Sequence, residues 1–296
     1  MISICIPIYN FDVTPLVEEL LKQIDDLRNE AEIVLIDDAS ENQFRRINSQ
    51  LKDECKYIQL EKNIGRSKIR NRFLNYVKHK HLLFLDCDSK INKSEFLKNY
   101  TSSIKNHPES VIYGGRIYPK KPANQNEKLA WKYGIKTESK PASIREKFPR
   151  KYFMTNNFIV PKKVLEKVKF DEHIIQYGYE DTLFGFELKR FNIPIVHINN
   201  AVLNGHLEEN LIYLKKEEKA IQNLVYILSA GKNRKEIINE VKLVKTYYQL
   251  EKFEAIIRFS FWLMRYPIQW MVKNSIISLR LFNFYKLGYL AVQLRK

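Results

Sequence analysis

This 296-residue sequence has few cysteines, few glycines and no long apolar run. Cys5, Cys55 and Cys87 show no C-x-x-C spacing, so neither a zinc knuckle nor a disulfide scaffold is expected, and reduced thiols in a cytosol are the simplest reading. Nine glycines and ten prolines exclude a collagen-like or Pro/Gly-rich chain, and 45% apolar residues argue against general disorder. No internal repeat or low-complexity tract is visible. No stretch reaches the ~18 uninterrupted apolar residues of a spanning helix. The opening MISICIPIYNF is apolar but lacks a basic n-region and a small-residue cleavage site, so no secretory signal is expected. Acidic residues are in the minority, 34 against 50 basic, for a net charge of +16. That excess suits anionic lipid, nucleic acid or a phosphorylated substrate, and the total alone does not choose among them. The length allows one large domain or two small ones, with ample material for a core.

The first half alternates strands and helices. Short apolar runs at Ile2–Ile8, 32–36, 57–60, His81–Leu85 and Val111–Tyr113 read as strands. Helical spacing covers 13–28, 43–51, 67–77 and 95–104. Such alternation predicts βαβ units and a mostly parallel sheet covered on both faces. Ligands then bind beyond the carboxyl ends of the strands, and there stand Tyr9-Asn10, Asp37-Asp38 and Asp86-Cys87-Asp88. Asp37-Asp38 suits helix capping as well as a ligand. Two carboxylates two residues apart repel each other unless a cation lies between them, so Asp86 and Asp88 point to a hard divalent ion. Cys87, on the opposite side of an extended segment, reads as a small buried hydrophobe.

Five elements in order resemble the inverting family 2 glycosyltransferases of the GT-A fold: Pro7-Ile8-Tyr9-Asn10, the run Val34 to Ser40, the run Asn63 to Asn71, Asp86-Cys87-Asp88, and Gly178-Tyr179-Glu180-Asp181. The resemblance implies an α/β, Rossmann-like catalytic domain over residues 1–210, followed by a helical region over 211–296. It implies transfer of a hexose from a UDP-sugar, with Mg or Mn, to a lipid-linked or polysaccharide acceptor in surface glycan synthesis. Pro7, Tyr9 and Asn10 would shape the nucleotide pocket, with Tyr9 stacking on uracil. Asp38, with Asp37, would bond the uracil edge. Asn63, Gly65 and Arg70 would close over the nucleotide, where Gly65 allows close backbone approach and Arg70, with Arg66 and Lys68, suits an anion. Asp88 and His206 would ligate the metal, and Asp86 the ribose or a metal-bound water. Asp181 would be the general base, with Glu180 orienting the acceptor; two acids at a helix start also suit the helix dipole. Gly115, Asn156 and Asn157 would line the donor-sugar and acceptor pocket, although the asparagines equally suit turns. His197 reads as a strand residue. The basic segment 120–149 is expected to form a mobile loop. A Trp-Gly pair common in galactosyl-type relatives is here Tyr177-Gly178, which leaves the donor sugar open.

From 255 to 296 there are seven basic residues, nine aromatics and no acid. On a helix Arg258, Arg265, Lys273 and Arg280 fall within roughly 80° of one another. Phe259, Trp262, Trp270, Ile276, Phe282 and Leu290 supply apolar neighbours, and Pro267 is expected to split the segment into two helices. Basic aromatic helices lie in the interface of anionic bilayers, which predicts a cytoplasmic protein peripheral to the inner face of the cell membrane; packing on the catalytic domain or another subunit is the alternative. Two other classes compete. A nucleotidyltransferase needs a Gly-rich phosphate loop after the first strand, and Pro7 to Asn10 provides none. A nucleic-acid-binding protein is suggested by charge alone, and the placement of that charge makes nucleic acid the least expected partner.

Overall fold

The computed structural model describes residues 1–25, 31–174 and 176–295. The chain runs β1 (Ile2–Ile8), α1 (Thr14–Asp25), β2 (Ala31–Asp37), α2 (Asn42–Asn48), β3 (Lys56–Gln59), α3 (Arg66–Arg72), β4 (His81–Leu85), β5 (Ser89–Lys90), α4 (Phe96–Asn106), β6 (Val111–Tyr113) and β7 (Arg116–Ile117). It continues with α5 (Lys128–Thr137), α6 (Ala142–Arg145), β8 (Asn157–Pro161), α7 (Lys162–Lys167), α8 (Glu180–Arg190), β9 (Ile195–His197) and β10 (Val202–Asn204). Five helices follow: α9 (Asn210–Ser229), α10 (Arg234–Glu240), α11 (Lys242–Gln249), α12 (Glu254–Lys273) and α13 (Leu279–Gln293). Residues 26–28 of the first expected helix lie outside the described residues.

Two compact units emerge. The first comprises Met1–Tyr118, Glu138–Ile175 and Glu180–His206. Its seven-stranded sheet has the order β3-β2-β1-β4-β8-β6-β9, and a second sheet has the order β5-β10-β7. All pairings in the large sheet are parallel except those of β8, which runs antiparallel to both β4 and β6. The central strands are apolar on both faces, as a sheet covered on both sides requires. The period of two divides them: Ile4, Ile6, Leu35, Leu83 and Leu85 enter one cluster with α1 and α4, whereas Cys5, Val34, Ile36, Leu82 and Phe84 enter another with Ile69, Phe158, Phe170 and Phe184.

Segment 120–149 is not a mobile loop. It holds α5 and α6, and its Arg145 is only 1% exposed. The Arg145 guanidinium donates to the carbonyls of Lys140 (2.8 Å), Tyr113 (3.3 Å), Gly114 (3.1 Å) and Ile198 (2.7 Å) and to His197 Nδ1 (2.8 Å). Since arginine only donates, His197 accepts at Nδ1 and donates its Nε2–H to the Pro149 carbonyl at 2.9 Å. Burial, with Arg145 beside it, drives the imidazole pKa down to about 4, so His197 is a neutral strand residue.

The second unit comprises Pro119–Thr137, Gln176–Tyr179 and Leu207–Lys296. Pro267 does not split the C-terminal segment: α12 runs through it, and the break falls after Lys273. A proline removes the N–H that would serve the carbonyl four residues back. That carbonyl belongs to Leu263, which like Pro267 is on the solvent-exposed side of the helix, so losing the donor there leaves no buried unpaired group. The separate α13 is turned inward. Phe282 and Leu290 are buried, and Lys286 bonds Glu217 (3.1 Å) and Tyr133 (3.2 Å). Gly288 admits the Phe261 ring so closely that a Cβ there would lie 2.5 Å from it. No described helix is long and apolar enough to cross a membrane.

Candidate active site

Most of the candidate residues collect at the carboxyl ends of β1, β2 and β4. Tyr9 follows β1 and is 54% exposed, so its ring face is available for stacking. Asp38 follows β2 and is buried. Its carboxylate accepts from the amides of Ile64 (2.7 Å) and Gly65 (3.1 Å), and Asn63 Nδ2 donates to the Asp38 carbonyl at 3.1 Å. Burial raises the Asp38 pKa, and the two amides pull it back. Gly65 sits at φ 82°, a left-handed conformation that turns the chain into α3. The 63–65 loop is thus fixed to the end of β2 by hydrogen bonds.

Arg70, on α3, is 2% exposed and joins two motifs that lie 94 residues apart in sequence numbering. Its Nη2 donates to Asp86 Oδ1 at 3.3 Å, and its Nη1 lies 4.0 Å from Glu180 Oε1. The guanidinium also stands over the Phe170 ring, at 5.6 Å from its centroid. Arg66 Nη1 approaches the same Glu180 oxygen at 3.8 Å. Asp88 lies 3.8 Å from Arg116 Nη2. The amide of Gly205 donates to the Asp88 carbonyl at 2.9 Å, which brings the exposed His206 beside this loop. The His206 ring meets Phe11 edge-on at 6.4 Å. Cys87 is half-buried against the core, and burial pushes its thiol up to about 12.

Glu180 and Asp181 begin α8. The Thr182 amide (2.7 Å) and hydroxyl (3.3 Å) both donate to Asp181 Oδ1. Burial pushes the Asp181 carboxyl up to about 7, and the Glu180 charge adds to the shift, while Thr182 and Arg70 oppose it. A carboxyl poised there is partly ionised at neutral pH and can take up a proton.

The remaining expected residues make contacts within the protein. Asp37 is fully buried, with Oδ1 accepting from the Ser40 amide (2.7 Å) and Oδ2 from the Tyr57 hydroxyl (3.0 Å), so it shapes the turn. Asn10 ties two loops together, its Oδ1 accepting from the Glu41 amide at 2.8 Å. Asn157 is the first residue of β8 and fully buried. Its amide donates to the Gly115 (3.0 Å) and Asn200 (2.9 Å) carbonyls and its Oδ1 accepts from Tyr100 at 2.7 Å. Gly115 makes room for Arg145, whose Nη2 would lie 2.7 Å from a Cβ there. Pro7 is a half-buried β1 residue. Asn156 lies beside Asp86, whose amide donates to its carbonyl at 3.0 Å.

Among the described residues no three His, Cys, Asp or Glu side chains are grouped to hold a metal. Asp86 and Asp88 nonetheless present hard oxygen donors at one strand end, and Mg-type ions often take one or two carboxylates with the rest from phosphate and water. The donor set therefore fits a metal that arrives with a diphosphate. Arg70 Nε, Ser67 Oγ and Asn156 Nδ2 are buried without a protein partner, which is hydrogen-bonding capacity suited to a polar ligand. Nothing local in the sequence links Arg116 to Asp88; the pairing of β7 and β5 with β10 brings them together.

Residues 3–169 match the family model described as glycosyl transferase family 2. An uncharacterized glycosyltransferase of Methanocaldococcus jannaschii is 22% identical over 226 residues, 73% of this chain and 74% of that one. The poly(ribitol-phosphate) beta-N-acetylglucosaminyltransferase TarS of Staphylococcus aureus is 36% identical over 115 residues, 37% of this chain and 20% of its own length. A crystal structure of S. aureus TarS 1-349 in complex with UDP-GlcNAc has a TM-score of 0.50 at 18% identity, covering 99% of this chain and 91% of that one. The mannosyltransferase PcManGT of Pyrobaculum calidifontis, in complex with GDP-Man and Mn2+, has a TM-score of 0.61 at 14% identity, covering 99% of this chain and 86% of that one. These likenesses bear on the fold, which is that of the GT-A glycosyltransferases.

Proposed function

Because this chain belongs to glycosyl transferase family 2, we propose that it is an inverting, metal-assisted transferase that moves a sugar from a UDP-sugar to a polysaccharide or lipid-linked acceptor, at a membrane face, in surface glycan synthesis. The observation that carries the reading is Arg70, whose guanidinium joins the Asp86 motif to the Glu180-Asp181 motif in one cluster. UDP is preferred as the carrier because the TarS complex holds UDP-GlcNAc and because Tyr9 and the Asp38-bound loop suit a uracil. Asp88, with Asp86 and His206 nearby, would hold Mg or Mn, which when bound neutralises charge on the departing diphosphate. Arg70 and Arg116 carry fixed positive charge to the same place. Tyr9 stacks on the base and Asn156 meets sugar hydroxyls. Asp181 takes the proton of the acceptor hydroxyl as that oxygen attacks the anomeric carbon from the side opposite the phosphate, which inverts the centre. Glu180 keeps Arg66 and Arg70 in position.

A panel of UDP- and GDP-sugars, with and without Mn, tests the reading by thermal stabilisation. A UDP-sugar at 100 times its Kd should add about 2.7 kcal/mol to stability. Stabilisation by no nucleotide-sugar overturns it. Salt-dependent DNA binding in place of nucleotide-sugar binding would favour the nucleic-acid class.

The pH profile follows from Asp181. The base acts ionised, and its pKa is raised, so the protonated, inactive form accumulates as pH falls through about 7. Below that point kcat/KM should drop roughly tenfold per pH unit. Glu180→Gln removes the like charge and should move this limb to lower pH. A limb that stays flat down to pH 5 would exclude Asp181 as the titrating group.

A further inference from the structure

We propose that the outward face of α12 is the surface on which the protein lies against an anionic lipid bilayer. This rests on the membrane-face reading above and narrows the expected 255–296 segment to one helix. The inward face of α12 is spent on packing: Glu254, Ile257, Phe261, Ile268 and Val272 are buried. On the opposite face Ile256, Phe259, Trp262, Leu263, Tyr266 and Trp270 are each 58–64% exposed. At 100° per residue these six fall within a stripe about 120° wide, running most of the length of a helix of about 30 Å. Scattered exposed apolar residues are ordinary, but a contiguous stripe with two tryptophans marks an interaction surface.

The charge beside the stripe selects the occupant. Arg258 and Arg265 follow one edge and Lys273 ends the helix. Grooves flank α12: one of about 590 Å³ is lined by Ala255, Arg258, Phe259, Trp262, Val292 and Arg295, and one of about 400 Å³ has Lys215, Lys273 and Trp270 in its wall with the single acid Glu218. Glu254 is the last acidic residue of the chain, and it is shared by Arg258 (3.4 Å) and Arg295 (2.8 Å). Two arginines to one carboxylate leave the edge positive. The Arg265 guanidinium lies over the Tyr266 ring, 4.4 Å from its centroid, beside the apolar surface. A second copy seated on the same stripe would bring Arg265 and Lys273 of both chains to one seam, with no acid on the stripe itself to pair them. A bilayer supplies both needs at once: phosphates for the cations, and an interfacial apolar layer for tryptophan and phenylalanine. With one face packed and the other apolar and exposed along its length, α12 would lie in the interface plane.

The test uses the full chain with phosphatidylcholine vesicles, with and without phosphatidylglycerol. The wild type should co-sediment with the anionic vesicles and its tryptophan emission should shift to the blue, since two of the three tryptophans are on the stripe. Phe259→Ser/Trp262→Ser/Trp270→Ser should lose more than about tenfold in vesicle partition. The same variant should keep the wild-type far-UV spectrum and UDP binding. Arg265→Gln/Lys273→Gln, which removes two positive charges and leaves the apolar stripe in place, should weaken binding and flatten its salt dependence. Wild-type partition in both variants overturns the proposal. So does a wild-type dimer that the triple variant disperses, which would assign the face to a second copy. Lost partition with intact UDP-sugar turnover supports docking, whereas docking with no turnover of any nucleotide-sugar overturns the transferase reading and leaves this one standing.

Discussion

Asp181→Asn should abolish sugar transfer and leave UDP affinity within about twofold of wild type. The substitution keeps size and shape, so the Thr182 amide and hydroxyl still find an oxygen at Oδ1. What disappears is the proton acceptor. Positioned acid–base groups contribute roughly 10²–10⁴-fold, and loss of that order in kcat is expected. Nucleotide binding should persist because Tyr9, the Asp38-bound loop and Arg70 are untouched. Asparagine also removes a negative charge beside Glu180. KM for the donor should therefore fall or stay constant, which separates loss of the base from loss of the site. Rates within tenfold of wild type would remove Asp181 from the mechanism. Equal loss of transfer and UDP binding would make it a structural residue.

Arg145→Met should lower the melting temperature of the first unit by roughly 10 °C. The side chain is 1% exposed and its charge faces carbonyl dipoles and the Tyr113 ring, at 4.9 Å from the centroid. Methionine fills part of the volume but donates nothing, so His197 Nδ1 and the Ile198 carbonyl lose their donor in a buried place. Each such group costs about 1–3 kcal/mol, and for a domain of this size 1 kcal/mol corresponds to about 2–4 °C. Arg145→Lys keeps the charge without the planar fork and should recover only a minority of the loss. Differential scanning calorimetry decides the matter, and a shift under 2 °C would show the network to be incidental.

The two predictions differ in how far each was legible in the sequence. Asp181 was visible because it belongs to a local motif, as were Tyr9, Arg70, Asp86 and Asp88. The strands β1, β2, β3, β4 and β6 were legible because buried strands of a covered sheet are plain apolar runs. Arg145 was not, because a basic residue in a basic segment reads as surface, and its acceptors come from residues 113, 114 and 198. β8 was hidden for another reason. Its apolar part is Phe158 to Val160, flanked by Asn157 and Pro161, too short to declare a strand without its neighbours. The internal role of Asn157 follows from that strand, and so could not be read earlier. Pro267 misled because its penalty was counted without knowing that Leu263 faces outward.

The reversed strand β8 also bears on how the molecule is made. It pairs Leu82 with Val160 and Leu83 with Ile159, contacts more than 70 residues apart in the chain. Until residue 161 has left the ribosome, β4 has an unpaired edge with four apolar residues, Leu82 to Leu85, and β6 has no neighbour in the large sheet to join it to β4. Loop closure over that distance is slow, and an open edge of this composition invites pairing with another nascent chain. Synthesis between residues 85 and 161 is therefore the interval in which a holding chaperone should matter most. A chain halted within it should accumulate as aggregate, whereas a break after 206 should leave both sheets able to close.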